Sequence, residues 1–292
     1  MIVKVKVPAT SANLGCGFDT LGMALNLYTT FTFEEIKQGL EFEGFDEKYC
    51  NEDNLVYISF NKALKQLNKK VDGVRISIDC QVPISRGLGS SSICVVAGIF
   101  AAYALSNTQI NRDDIFKLAT TIEGHPDNVS PAIFGGLSAS CVVNNEALTI
   151  KYDIDDRFTF LALIPDFETS TNESRKALPD IVCRQDAIYT LSRLGMVLKG
   201  FENYDLSLLS KVMDDKLHEP YRCKLIHEYD KVKEICKSVD SVCFMISGSG
   251  STLLNIIKDK ENVQLIRDKL KDLEYKWRVL ELKVDKEGTI IL

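Results

Sequence analysis

The run Ile93–Leu105, ICVVAGIFAAYAL, contains no charged side chain, and only Tyr103 carries a polar tip. A helix that is apolar all round has to be buried on most sides, so the chain must be built around this segment. The run is too short to cross a membrane. Immediately before it stands Pro83-Ile84-Ser85-Arg86-Gly87-Leu88-Gly89-Ser90-Ser91-Ser92. Before that, Val74, Ile76, Ile78 and Cys80 alternate with Arg75, Ser77 and Asp79, the period of a half-buried strand. The glycines and serines therefore lie between a strand and the N-terminus of a buried helix. There the first backbone N–H groups lack intrahelical partners and the dipole is positive. Gly87 and Gly89 let the backbone come close to a ligand, and the arrangement suits an anion, a phosphate chain best. The plainer alternative is an N-cap and a turn. No G-x-x-x-x-G-K-[ST] occurs, and neither Gly15-x-Gly17, Gly87-x-Gly89 nor Gly248-x-Gly250 completes G-x-G-x-x-G. Any phosphate held here is held without a P-loop lysine.

A net charge of −6 argues against a nucleic-acid binder. A hydrophobic fraction of 45% with 26% charged residues is ordinary for a soluble globular protein. Met1 to Val7 alternates like a strand and does not read as a signal peptide. The 9 cysteines are odd in number and show no C-x-x-C spacing, which points to a reducing cytoplasm rather than a disulfide framework or zinc site.

At 292 residues, one large or two medium domains are expected. Val3, Val5 and Val7 predict a first strand ending at Pro8. Pro8 to Asp19, PATSANLGCGFD, reads either as a loose connection or as a polar grip on a small ligand. Tyr28 to Glu35 alternates as another strand. Asp53-Asn54 caps a helix with the stripe Val56, Phe60, Ala63, Leu64 and Leu67, and Asn111 starts one that ends at Glu123-Gly124. Strands follow over Leu137–Val143 and Phe158–Ile164. The second half predicts helices over Gln185–Lys199 and Leu206–Asp215, then a strand at Ser241–Ile246 closed by Ser247-Gly248-Ser249-Gly250-Ser251-Thr252. A short strand, a helix and a strand from Arg278 finish the pattern. The class is α+β, with an antiparallel sheet backed by helices at the end and a boundary near residues 150–165.

Pro8–Asp19, Pro83–Ser92 and Ser247–Ser251 together, in order and spacing, resemble the three motifs of the GHMP kinases, over essentially the whole chain. Within that superfamily, PATSANLGCGFD and His125-Pro126-Asp127-Asn128-Val129-Ser130-Pro131-Ala132 look like the homoserine kinases. The resemblance implies a two-domain fold, a ribosomal protein S5 domain 2-like N-terminal domain (1–157) that binds ATP and a ferredoxin-like C-terminal domain (158–292). It also implies transfer of the γ-phosphate of ATP, with Mg²⁺, to the side-chain hydroxyl of L-homoserine, a step toward threonine.

On that resemblance, the loop Pro83, Ile84, Ser85, Arg86, Gly87, Leu88, Gly89, Ser90, Ser91, Ser92 and Ile93 wraps the phosphates, and Asn54 borders the adenine pocket. Ser91, a hard hydroxyl at a helix start, and Glu123 are the expected metal ligands. Arg86 either adds charge near the phosphates or faces solvent, and the second is favoured. Homoserine is a zwitterion: Asp19 and Asn13 would take its ammonium, and Arg175 and Arg222 its carboxylate. His125 and Asn128 would orient the hydroxyl. Asp127 is the positional candidate for a general base, with the phosphate itself as the other acceptor of the proton. Ser249 and Gly250 would offer backbone donors on the wall between phosphates and acceptor. Small-molecule substrates are the expected partners, with an exposed sheet edge available for a homodimer. The alternatives are a GHMP kinase for mevalonate or a sugar, and a non-catalytic relative.

Overall fold

The computed structural model describes residues 1–292. Two long strands, β1 (Ile2–Asn13) and β2 (Gly17–Glu35), pair antiparallel and form the spine of the first sheet. Next come β3 (Gly39–Glu43), α1 (Leu55–Gln66) and β4 (Gly73–Cys80), a unit in which β3 and β4 run parallel. Asn54 starts α1 as expected, its side chain accepting from Val56 N at 2.9 Å. The buried apolar helix is α2 (Ser90–Leu105), followed by α3 (Arg112–Glu123) and α4 (Val129–Phe134). Asn111 caps α3 by accepting from Asp113 N and Asp114 N. The hairpin β5 (Leu137–Val143) and β6 (Glu146–Tyr152) completes this half. β2 divides its partners: Leu21–Met23 pair with β5, and Thr29–Glu35 pair with β4. α2 lies against β1.

The second sheet opens with β7 (Phe160–Pro165). It is followed by the helices α5 (Thr171–Lys176), α6 (Arg184–Asn203), α7 (Leu206–Val212), α8 (Glu219–Arg222) and α9 (Tyr229–Lys237). Then come β8 (Ser241–Ile246), β9 (Leu253–Ile257), α10 (Val263–Leu270), β10 (Trp277–Leu282) and β11 (Ile290–Ile291). Its order is β10-β7-β9-β8, antiparallel throughout. β7 is buried on both faces, which explains its unbroken FLALIP. Phe160, Ala162 and Ile164 join the main core that also contains β1, β2 and α2. Leu161 and Leu163 face the other way, into a smaller core with Val232 of α9 and Ile266 of α10.

Several strands differ from the sequence expectation. β1 does not stop at Pro8 but runs on to Asn13, through a register shift between Pro8 and Ala9. A proline cannot donate to the ladder, and the irregularity accommodates it. Residues 8–13 are thus a buried strand end and not a loose connection; Thr10, Ser11 and Asn13 are all buried. β2 begins at Gly17, well before Tyr28. Three strands had no expectation: β3, β6 and β11. The last returns to β1, pairing Val5 with Ile291, so the end of the chain adds a strand to the first sheet.

Candidate active site

The segment between β4 and α2 forms a tight loop. Gly87 and Gly89 have φ of +74° and +73°, and Gly89 is the N-cap of α2. A Cβ on Gly87 would lie 2.2 Å from Ser247 O, and one on Gly89 1.9 Å from Thr10 Oγ1. Both glycines therefore admit neighbouring protein segments, whereas the sequence reading gave that space to a ligand. None of the backbone amides from Arg86 to Ser92 donates to a group of the chain. The result is a row of unpaired N–H groups at a helix N-terminus, a ready anion cradle.

The loop borders a cavity of about 170 Å³. Its lining contains Asn13, Asp19, Ser85, Gly87, Gly89, Ser90, Ser91, Ser92, Glu123, His125, Asp127, Asn128, Arg175, Arg222 and Ser249 from the expected set. Gly248, from the Ser247–Ser251 loop expected to form a wall, lines it too, as does Thr171, which was not anticipated. A second, largely apolar cleft of about 260 Å³ holds Asn54, Ile84 and Ile93 and shares Ser85, Ser90 and Ser91 with the first. Its walls include Phe31, Phe45, Tyr49, Ile78 and Val82, none singled out for the site from sequence. Phe45 and Tyr49 follow a short strand and carry no periodic signal. Only their place in the fold brings them to this wall.

Four expected residues line neither cavity. Leu88 is fully buried. Pro83 and Arg86 border a groove on the other side of the loop. Arg86 does not face solvent: its guanidinium donates to Pro165 O (3.1 Å), Ile84 O (3.0 Å) and Asp166 O (3.1 Å) and pairs with Glu168. It ties the Gly-Ser loop to the second sheet. Gly250 is not a free donor, because its amide donates to Ser247 O at 2.9 Å.

On one side of the cavity Ser91 Oγ and Ser92 Oγ donate to the two carboxylate oxygens of Glu123, at 2.9 and 3.0 Å. Glu123 is thus drawn onto the start of α2 and is not a stray helix-end acid. On the other side, Arg175 of α5 donates through both terminal nitrogens to Asp19, at 3.1 and 3.2 Å. Arg222 is buried beneath them, donating to Gly248 O at 3.0 Å and stacked 5.1 Å over the Phe18 ring. Burial pushes its guanidinium below the usual range, and Asp19 partly restores it. Asn13 uses its carboxamide twice, donating to Gly248 O (2.7 Å) and accepting from Asp19 N (3.0 Å).

Between these two ends sit His125, Asp127 and Asn128, after the left-handed Gly124 that closes α3. Asp127 is buried; its Oδ1 lies 2.6 Å from His125 Nδ1 and accepts from Asn128 N at 2.9 Å. That hydrogen bond raises the His125 imidazole above its ordinary value, against the opposing effect of burial. Thr10 Oγ1 donates to Asn128 Oδ1 at 2.8 Å, fixing the amide beside Gly89. The cavity thus offers anion donors and a hydroxyl–carboxylate pair at one end, and two cations with one anion at the other.

Comparison with known proteins agrees with this geometry. Residues 54–136 match the model of the GHMP kinases N terminal domain, and residues 197–276 that of the GHMP kinases C terminal domain. A homoserine kinase of Clostridium botulinum (strain 657 / Type Ba4) is 42% identical over 99% of this chain and 98% of its own length. The chain belongs to the GHMP kinase family. The fold expected of a GHMP kinase is the one found. A crystallised homoserine kinase from Cytophaga hutchinsonii superposes with a TM-score of 0.90 at 26% identity, covering 100% of this chain and 97% of that one. The mevalonate kinase of L. major, in complex with R-mevalonate, shares the GHMP kinase fold with a TM-score of 0.76 at 14% identity, over 97% and 96% of the two chains. No helix of this GHMP kinase is long and apolar enough to cross a membrane.

Proposed function

We propose that the chain is a homoserine kinase, transferring the γ-phosphoryl group of ATP to the side-chain hydroxyl of L-homoserine to give O-phospho-L-homoserine and ADP. One observation carries the reading: a single cavity has unpaired amides on one wall and Arg175, Arg222 and Asp19 on the other. Phosphoryl transfer needs positioning and charge neutralisation more than covalent chemistry, and such a cavity supplies both. The whole-length similarity to homoserine kinases supports the choice of acceptor.

In this reading the triphosphate lies on the amides of Gly87 to Ser92, with the adenine against the apolar cleft beside Asn54. Ser91 Oγ and Glu123 fit a Mg²⁺ ion, since both are hard oxygen donors and Mg²⁺ takes few protein ligands when phosphates supply the rest. When bound, the ion neutralises charge on the transferring phosphate. The homoserine carboxylate is gripped by Arg175 and Arg222, and its ammonium by Asp19 with Asn13. His125 and Asn128 hold the acceptor hydroxyl toward the phosphates. As the hydroxyl oxygen bonds to the γ-phosphorus, the bond to the ADP oxygen breaks. In this reading the hydroxyl proton passes to the transferring phosphate, while Asp127 Oδ1 meets His125 Nδ1 and accepts from Asn128 N. Asp127 then positions the acceptor end rather than acting as base.

Mevalonate carries a carboxylate but no ammonium, and a neutral sugar carries neither, so Asp19 beside two arginines favours an amino acid over both. The organisation proposed is an ATP-binding part over 1–157 and a second part over 158–292. The cytoplasm is the proposed location, in keeping with cysteines that are all free thiols. A homodimer is part of the reading, because β6 has only β5 as a neighbour and leaves one edge open. The test is ADP release coupled to a reporter with homoserine, mevalonate and galactose in turn, together with direct detection of O-phosphohomoserine. Turnover with homoserine alone is expected; equal or greater turnover with mevalonate or galactose would overturn the assignment.

A further inference from the structure

The turn from Asn13 to Asp19 carries two residues of the proposed acceptor site and is held in an unfavourable backbone. Asn13, Leu14 and Gly15 have φ of +73°, +44° and +69° in succession, and Asp19 has +50°. Glycine adopts such angles freely and asparagine or aspartate readily, but for a bulky leucine they are strained. Strain of this kind persists only where the surrounding structure over-determines it. Leu14 is fully buried in the main core, and Asn13 accepts from Asp19 N across the turn. A further tie comes from 203 positions along the chain, where His218 Nε2 lies 3.0 Å from Gly15 O. A carbonyl only accepts, so Nε2 carries the proton. Burial lowers the imidazole below its ordinary value, against the opposing charge of Asp215, so the ring is neutral and Nδ1 is bare. Nδ1 has no partner, and Asp215 Oδ2, 3.7 Å from Nε2, is beyond hydrogen-bond range. A position that needed only bulk would be better filled by an apolar side chain, because a buried ring nitrogen without a partner is costly.

The face of the ring is used as well. It stacks on Phe18 with centroids 5.2 Å apart, and the Arg222 guanidinium lies 5.1 Å over the same Phe18 ring. Asp215 fixes where the His218 side chain starts, accepting from His218 N at 2.7 Å and Glu219 N at 2.9 Å. His218 thus joins the turn that bears Asn13 and Asp19 to the segment that bears Arg222, and those three residues all line the cavity. We infer that His218 is a positioning residue for the acceptor, holding the Asn13–Asp19 turn and the Phe18 ring so that Asn13, Asp19 and Arg222 converge on one ligand. It lines neither cavity itself; its effect passes through Gly15 and Phe18. The inference rests on amino-acid binding at this end of the cavity, as proposed above.

The experiment compares wild type, His218→Phe and His218→Gln in KM for homoserine and for ATP, in ADP affinity by calorimetry and in thermal unfolding. His218→Phe keeps an aromatic face for Phe18 but has no donor for Gly15 O, so its KM for homoserine should rise about tenfold, as for one lost hydrogen bond. His218→Gln brings an amide N–H close to the former Nε2 and should recover most of that loss. ADP affinity and the KM for ATP should match the wild type in both, because the ring is tied to the acceptor end alone. An unchanged homoserine KM in His218→Phe would overturn the inference. So would parallel losses for homoserine and ADP, which would mean a general loosening of the protein. A His218→Phe protein that fails to fold is replaced by His218→Leu, smaller and equally without a donor, with the same expectation. The Gln variant decides in any case: a homoserine KM raised about tenfold, with unfolding like the wild type, would overturn the inference. A wild type that prefers mevalonate or galactose to homoserine would instead overturn the acceptor reading, and this inference with it.

Discussion

Asp19 and Arg175 meet across the cavity as a two-pronged ion pair, although one is on β2 and the other on α5, 156 positions along the chain. Each is roughly two-fifths exposed, so the pair is loosely held and of small worth to stability. An incoming zwitterion can replace it charge for charge, its ammonium facing Asp19 and its carboxylate facing Arg175. Arg175→Ala should therefore raise the KM for homoserine by roughly 10- to 100-fold, the range for a lost charge-assisted hydrogen bond. The KM for ATP should change little. Initial-rate kinetics with each substrate varied in turn decide it, and an unchanged homoserine KM would remove Arg175 from the acceptor site.

Asp127→Asn bears on the fate of the proton. If the phosphate accepts it, the variant keeps measurable turnover, reduced by misplacement of His125 and Asn128. Single-turnover assays with homoserine saturating are the check. Complete loss of the chemical step with intact substrate binding would make Asp127 the base.

His125 gives a pH dependence of known sign. Its hydrogen bond to Asp127 raises the folded-state value above the ordinary 6.5. The protonated ring is therefore bound more tightly in the folded protein, and the stabilisation is complete below pH 6.5 and lost as pH rises through the folded value. Urea unfolding of wild type and His125→Gln should show a gap in midpoint that narrows as pH rises above about 7. A gap that widens with pH would contradict the pairing.

Glu219 behaves in the opposite chemical sense. Burial pushes its carboxyl from 4.5 up to about 8, while Ile246 N donates to Oε1 at 2.8 Å. The folded protein holds the acid protonated, so stability associated with it is full below about 4.5 and is lost as pH rises toward 8. Glu219→Gln keeps an oxygen for Ile246 N and carries no titrating proton. The variant should gain on the wild type in denaturant midpoint between pH 5 and 8, and the gain should vanish near pH 4. A constant difference across that range would mean the carboxyl titrates alike in both states.

Much of the site could be read from residue order because its parts are local. The apolar run of α2, the asparagine caps of α1 and α3, and the Gly-Ser loop each carry their signal within a few residues. What was missed depends on partners far along the chain. Arg86 looked solvent-facing because nothing near it in sequence reveals the carbonyls of Pro165 and Asp166. Pro8 looked like a strand end because the register shift that absorbs it is made by β2. Gly248 gave no sign that its carbonyl would serve both Asn13 and Arg222. β6 is short and mixed in polarity, and its alternation is legible only once β5 lies beside it.

The tightness of Gly87 against Ser247 and of Gly89 against Thr10 bears on the timing of events as much as on shape. A mould pressed into form by its own protein has met the entropy of ordering at folding, before any guest arrives. A nucleotide held there as proposed would meet a surface already shaped by the protein's own packing.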